Sequence, residues 1–192
     1  MTTKQLGGLT SAQVANLTTD QFAALSSLQI TKLTTSQLVG MSASQMKAIK
    51  TDDLVTLTTA SIRELTSTQL AGLSTAQVAS LTTTQFAALT SAQLAASLSS
   101  SMIRALSTGQ LQTISSTTLA SLTSSQISAL TTDELISLAT SQIAGFTTSQ
   151  VAALTTEQLV AMTTYQISNL NTLQLTSLSA AQIKSIETSD LA

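Results

Sequence analysis

A hydrophobic residue returns at every eighth position of this chain, and that period limits the available folds more than any other property. With Met1 as position 1, the frame runs through Leu9, Leu17 and Leu25 to Leu89. It takes one extra residue at Ser97 and resumes from Leu98 to Ile186. The 192 residues make 24 units, the last one residue short. Position 1 is Leu, Ile, Met or Phe in all 24, and position 6 is apolar in all 24, from Leu6, Val14 and Phe22 to Leu191. Position 2 is Ser or Thr in 20 units, position 3 in 22, and position 5 is Gln in 18. Position 8 is mostly small. The consensus reads L-T-T-x-Q-[LIVF]-A-small.

An octad of this kind has three ways to fold. One continuous helix fails, because apolar residues spaced by five and then three positions drift by about 80° per octad at 100° per residue. A simple alternating strand fails too: positions 1 and 6 have opposite parity and would face opposite sides. A β-solenoid with a bend in each octad stays open, since Thr and Val favour strands. The third option matches every conserved position. With the position-2 Ser or Thr as N-cap, position 5 becomes N3, and Ser/Thr-x-x-Gln is a capping box. Position 1 is then N′ and position 6 is N4, the two members of a hydrophobic staple. Leu17, Thr18, Gln21 and Phe22 show the set, and Leu25 completes the face.

The expected fold is therefore all-α: an elongated solenoid of 24 very short capped helices, one per octad, each near positions 3 to 8. Helices below about 12 residues are marginal alone, so their stability must come from neighbours, as in other solenoids. Small residues at position 8, such as Gly40, Gly72 and Gly145, should let backbones approach. The period never stops between 1 and 192, which reads as a single domain with a local bulge or longer turn near Ala95–Ser99. Gly8, Gly40 and Gly72 recur at every fourth octad, a spacing that fits either a solenoid turn or a past duplication.

Composition excludes most chemistry. The chain has no Cys, His, Trp or Pro, is 8% charged, and carries a net charge of −2. Without Cys and His there are no disulfides, thiolates, imidazole bases or usual zinc sites. The small negative charge gives no field to draw nucleic acid or an anionic membrane. No run approaches the roughly 18 apolar residues of a membrane span, and the amino terminus has no signal-peptide pattern. Serines abound, but no Gly-x-Ser-x-Gly elbow activates one. No cofactor or metal is expected, and no enzyme. The mixed-sign cluster Lys47, Lys50, Asp52, Asp53, Arg63 and Glu64 reads as a solvated face. Phe22, Phe86 and Phe146 fall on the core phase, whereas Leu28, Tyr165 and Leu173, at position 4, are candidate exposed contacts.

Tracts such as Leu81-Thr-Thr-Thr-Gln-Phe-Ala-Ala-Leu89 and Phe146-Thr-Thr-Ser-Gln-Val-Ala-Ala-Leu154 resemble octapeptide-repeat regions of large secreted or surface proteins of Gram-negative bacteria, of the adhesin and extracellular-fibre type. The resemblance covers the whole chain. It implies a structural or adhesive role outside the cell, with the cell surface or extracellular matrix as partner, and carries over no catalytic residue.

Two functions compete. The first is a self-associating structural segment that stacks head to tail. Units 1 and 24 keep the apolar residues of the consensus, Met1 and Leu6 at one end and Ile186 and Leu191 at the other. No polar capping repeat covers them, and unlike ends give a heterologous contact that grows into a filament. The chain starts at position 1 and stops at position 7, so a second copy would nearly continue the period. The second function is a module for ice or a polymer surface, built on regular Ser and Thr ladders. Position 2 is consumed by capping on this reading, which leaves position 3 as the open ladder.

Overall fold

The computed structural model describes residues 1–186. Leu191 and the other residues of the twenty-fourth octad after Ile186 lie outside them. The described residues form 23 α-helices of four to seven residues, one for each octad, and no strand occurs among them. The chain is an α-solenoid, and the bent β alternative does not apply.

Each octad folds as its capping chemistry dictates. In the third, Thr18 is extended (φ −72°, ψ 160°), the helix spans Thr19–Ala23, and Ala24 remains in the right-handed region (φ −83°, ψ −6°). The Thr18 hydroxyl accepts from the Gln21 N–H at 3.2 Å, and Gln21 Oε1 accepts from the Thr18 N–H at 2.8 Å. This reciprocal pair closes on all but five of the helices. The exceptions carry a changed residue at position 2 or 5: Lys50 with Asp53, Ser61, Met102, Thr118, and Ala139. Ala139 donates its N–H to Gln142 Oε1 at 2.8 Å but has no side-chain oxygen with which to reciprocate. At the other end, the position-1 N–H closes a short turn onto the position-6 carbonyl, as Leu25 does onto Phe22 at 3.0 Å. No described residue has positive φ, glycines included, so the helices do not stop at left-handed glycines. They stop because two extended residues, at positions 1 and 2, redirect the chain at the start of every octad.

The residues form two compact units, Met1–Ser97 and Leu98–Ala192. The first ends at the extra residue. Ser97 is accommodated within a seven-residue helix, Ser91–Ser97, where its buried hydroxyl donates to the Gln93 carbonyl at 2.6 Å. The insertion thus lengthens a helix and does not open a loop. Each unit has the same internal plan. In the first, helix Ser11–Ala15 packs on Thr35–Val39 and Thr19–Ala23 on Ala43–Ala48; in the second, Thr132–Ser137 packs on Thr156–Ala161. Each packs against the helix three octads away. Positions 1 and 6 fill the interior, with Phe22, Leu38, Leu54, Ile62 and Phe86 among the fully buried side chains of the first unit and Leu111, Leu119, Leu135 and Val151 among those of the second.

Small residues let one turn approach the next. A Cβ placed on Gly72 would lie 2.5 Å from Ala43 Cβ, and one on Gly145 would lie 2.6 Å from Ser116 Cβ. Both pairs set position 8 of one octad on position 3 of the octad three units earlier. The approach expected between successive helices is in fact made between successive turns. The glycine recurrence at every fourth octad is therefore not the turn of the solenoid.

Candidate functional site

What joins the turns is the position-5 glutamine. Its Oε1 completes the capping box of its own helix, and its Nε2 reaches back to the preceding turn. In the first unit, Gln37 Nε2 donates to the carbonyls of Leu6 (3.0 Å) and Leu9 (2.8 Å), and Gln69 Nε2 to Leu38 (2.8 Å) and Met41 (2.7 Å). Gln77 repeats the pattern on Met46 and Ile49, and Gln85 on Leu54 and Leu57. In the second unit, Gln142 takes Leu111 and Ile114, Gln150 takes Leu119 and Leu122, and Gln174 takes Ile143 and Phe146. The acceptors lie 28 and 31 residues back, at position 1 and position 6 of the earlier turn.

The chemistry of this contact follows from helix ends. The position-6 carbonyl already accepts the position-1 N–H, as Leu119 does from Leu122 at 3.1 Å. The position-1 carbonyl, at the helix end, has no partner within the helix, and a buried carbonyl without a donor costs about 1–3 kcal/mol. The glutamine amide supplies that donor. It also accepts the N-cap N–H of the next turn's helix, so one side chain clamps a helix start onto an earlier helix end. These glutamines are buried: Gln37, Gln110 and Gln150 are 1–2% exposed. One acceptor closes an octad and the other opens the next, so each helix start lies over the joint between two octads below, as bricks do.

The local capping box was legible in the sequence; the second bond was not. A capping box accepts Glu as readily as Gln, yet position 5 holds 18 Gln and a single Glu, Glu134. Only the amide carries a donor, and that bias was the available signal. Glu134 Oε2 accepts the Thr131 N–H at 2.7 Å, but the residue is buried with no N–H to offer the carbonyls of the earlier turn. Asp53 is 2% exposed, and its Oδ1 is buried without a hydrogen-bond partner. The other charged residues of its cluster, Lys47, Lys50, Asp52, Arg63 and Glu64, are exposed, as a solvated face requires.

The residues expected at the ends fare differently. Met1 is 58% exposed, while Leu6 is fully buried and Ile186 is 6% exposed. Leu191 lies outside the described residues. The apolar side chains open at the amino-terminal turn are at position 1: Met1, with Leu9 and Leu17 half-buried. Leu6 is covered because position 6 points toward the turn that follows. In the last described octads the reverse holds, with position-6 residues open: Leu175 half-buried and Ile183 40% exposed. Leu28, Tyr165 and Leu173 at position 4 are 62%, 68% and 71% exposed. They are isolated surface side chains of an ordinary kind.

Among the described residues no three His, Cys, Asp or Glu side chains cluster, and no helix is long and apolar enough to cross a membrane. A family model described as the ALTTAQ repeat matches residues 1–27, 46–83 and 132–164, together more than half of the chain. No curated protein matches it.

Proposed function

Since the chain belongs to the ALTTAQ repeat family, we propose that it is a non-enzymatic structural segment that stacks head to tail, as part of an extracellular fibre or adhesin. One observation carries the reading. The two faces of a turn are unlike, with position-1 side chains (Met1, Leu9, Leu17) open at the amino-terminal end and position-6 side chains (Leu175, Ile183) open near residue 186. Inside each unit, these two kinds of side chain are buried together. Unlike faces that fit each other make a heterologous contact, and a heterologous contact without closure grows in one dimension. At 8% charged residues, little repulsion opposes association.

The extracellular setting rests on the likeness to adhesin-type octapeptide regions, and the cell surface or matrix is the partner that likeness implies. The alternative is a surface-binding module for ice or a polymer. It is favoured by the exposed position-3 hydroxyls of Thr19, Thr59 and Thr83. Against it, hydroxyls of the second unit are used internally: Ser124 Oγ donates to the Ser149 carbonyl at 3.1 Å and Ser100 Oγ to Ser125 at 3.3 Å. Sedimentation at micromolar concentration tests the first reading. Species that grow with concentration are expected, and a clean monomer at every concentration would overturn it. Thermal hysteresis would favour the alternative.

A further inference from the structure

We propose that Asp53 holds a monovalent alkali cation, of potassium or sodium size, between two turns of the first unit, at the place where neighbouring octads put a glutamine amide. Those octads define the geometry. Gln45 Nε2 lies 3.2, 3.1 and 2.5 Å from the carbonyl oxygens of Val14, Ala15 and Leu17. Gln69 Nε2 lies 2.8, 3.1 and 2.7 Å from those of Leu38, Val39 and Met41. Three main-chain oxygens thus converge on one point between turns. The same steps back from Asp53 reach the carbonyls of Phe22, Ala23 and Leu25. Their backbone matches: the helix of Val14 is closed by Asn16 at φ −86°, ψ −4°, and that of Phe22 by Ala24 at φ −83°, ψ −6°.

What meets this trio is a carboxylate and not an amide. Asp53 takes the glutamine position of the helix Thr51–Leu54, which packs on Ser27–Ile30 of the turn before. It is 2% exposed, and its Oδ1 is buried with no hydrogen-bond partner. Among the described residues the Leu25 carbonyl accepts no hydrogen bond, and that of Phe22 accepts only main-chain N–H groups. Lys47 and Lys50, the cationic residues nearest in sequence, are exposed. A charged oxygen gains nothing from carbonyl oxygens, and a buried charge is costly unless it is paired. A cation satisfies both. Asp is one methylene shorter than Gln, which leaves space for an ion between the carboxylate and the trio. Size and charge select the ion. Magnesium demands ligands at about 2.0–2.1 Å, closer than oxygens spaced to serve an amide nitrogen. Calcium takes about six to eight oxygens and would leave excess positive charge beside a single carboxylate. Main-chain carbonyls can replace the hydration shell of potassium, and one positive charge neutralises Asp53. The ion would then do for this octad what the amide does for its neighbours.

The test compares the unaltered full chain with Asp53→Gln, which brings its own amide to the trio. Both are unfolded by urea in potassium, sodium or tetramethylammonium chloride at one ionic strength of about 0.15 M; tetramethylammonium is too large to enter a buried slot. An ion bound only by the folded chain raises the folded-to-unfolded ratio in proportion to its occupancy. For the unaltered chain the ratio should be about tenfold higher in the better alkali salt than in tetramethylammonium, and for Asp53→Gln it should be the same in all three. A gain under about twofold in the unaltered chain overturns the site. An equal gain in both proteins places the ion elsewhere and overturns it as well. Stability that responds to pH but not to the choice of salt would put a proton between Asp53 and the carbonyls, and the cation reading fails. Should the variant misfold, crystals of the unaltered chain soaked in rubidium chloride decide: an anomalous peak among Asp53 Oδ1 and the carbonyls of Phe22 and Leu25 is expected, and none at that place overturns the proposal.

Discussion

Two tracts built on the same octad behave differently at the joint between turns. From Ala139 to Ser185, six successive octads present Gln142, Gln150, Gln158, Gln166, Gln174 and Gln182, and every one donates to the turn before. From Lys50 to Glu64, two successive octads present Asp53 and Ser61 instead. The helices still form there, Thr51–Leu54 and Thr59–Arg63, and Leu54 and Ile62 are still fully buried. What is lost is the amide tie to the earlier carbonyls. Ser61 Oγ reaches only the hydroxyls of Thr58 at 3.0 Å and Thr35 at 3.3 Å, and Asp53 Oδ1 reaches nothing. Among the described residues no side-chain amide serves the carbonyls of Phe22, Leu25, Ile30 and Leu33, the ones that glutamines at these two positions would take; Phe22 and Ile30 keep only the main-chain N–H of Leu25 and Leu33. The apolar positions therefore suffice to place an octad, while the glutamine determines how firmly it is tied.

The comparison is broken most severely by removing a clamp from the regular tract. Gln150→Leu keeps much of the volume but strands the Thr147 N–H and the Leu122 carbonyl, and takes the second of two donors from the Leu119 carbonyl. It should destabilise the chain by about 2–4 kcal/mol, read from urea unfolding. A loss under about 1 kcal/mol would mean that the amide contributes little beyond filling space. Next in size is Gly145→Ala, which drives a methyl group toward Ser116 Cβ and should cost about 1–3 kcal/mol. Pairing it with Ser116→Gly should restore most of that loss in a double-mutant cycle, whereas simple additivity would place the strain elsewhere.

Two substitutions sharpen the contrast from the other side. Asp53→Gln should stabilise by about 1–2 kcal/mol, because it replaces an unpartnered buried oxygen with a group that accepts the Lys50 N–H and donates to the earlier turn. A neutral or destabilising outcome would show that the Lys50–Glu64 tract differs in backbone as well as in side chain. Smallest is Ala139→Thr, which supplies the missing half of a capping box and should add about 0.5–1 kcal/mol, measured as a rise in the unfolding midpoint.

These cases divide what the sequence states from what it withholds. Thr18, Gln21, Leu17 and Phe22 interact within a few residues, so their spacing announces the capped helix, and the position-1 and position-6 core follows from it. The expected longer turn near Ala95–Ser99 is instead a longer helix, since Ser97 could bond back to the Gln93 carbonyl one helical turn earlier. The partners of Gln69 Nε2 are 28 to 31 residues away, at a distance set by the pitch of the solenoid. Nothing in a single octad specifies that pitch. Asp53 was hidden for the same reason: beside Lys50 and Asp52 it reads as solvated, and only the turn stacked over it makes it buried. Leu6 was assigned to an open end because the octad alone does not say which way position 6 faces.

A tie that spans a whole turn also makes the chain a spool. Under tension along the backbone, a turn whose glutamines let go would pay out about 28 residues, roughly 95 Å of extended chain, while the turns behind it stay wound. Slack would come off in measured lengths. Asp53 and Ser61, lacking the amide, mark where such a thread would yield first.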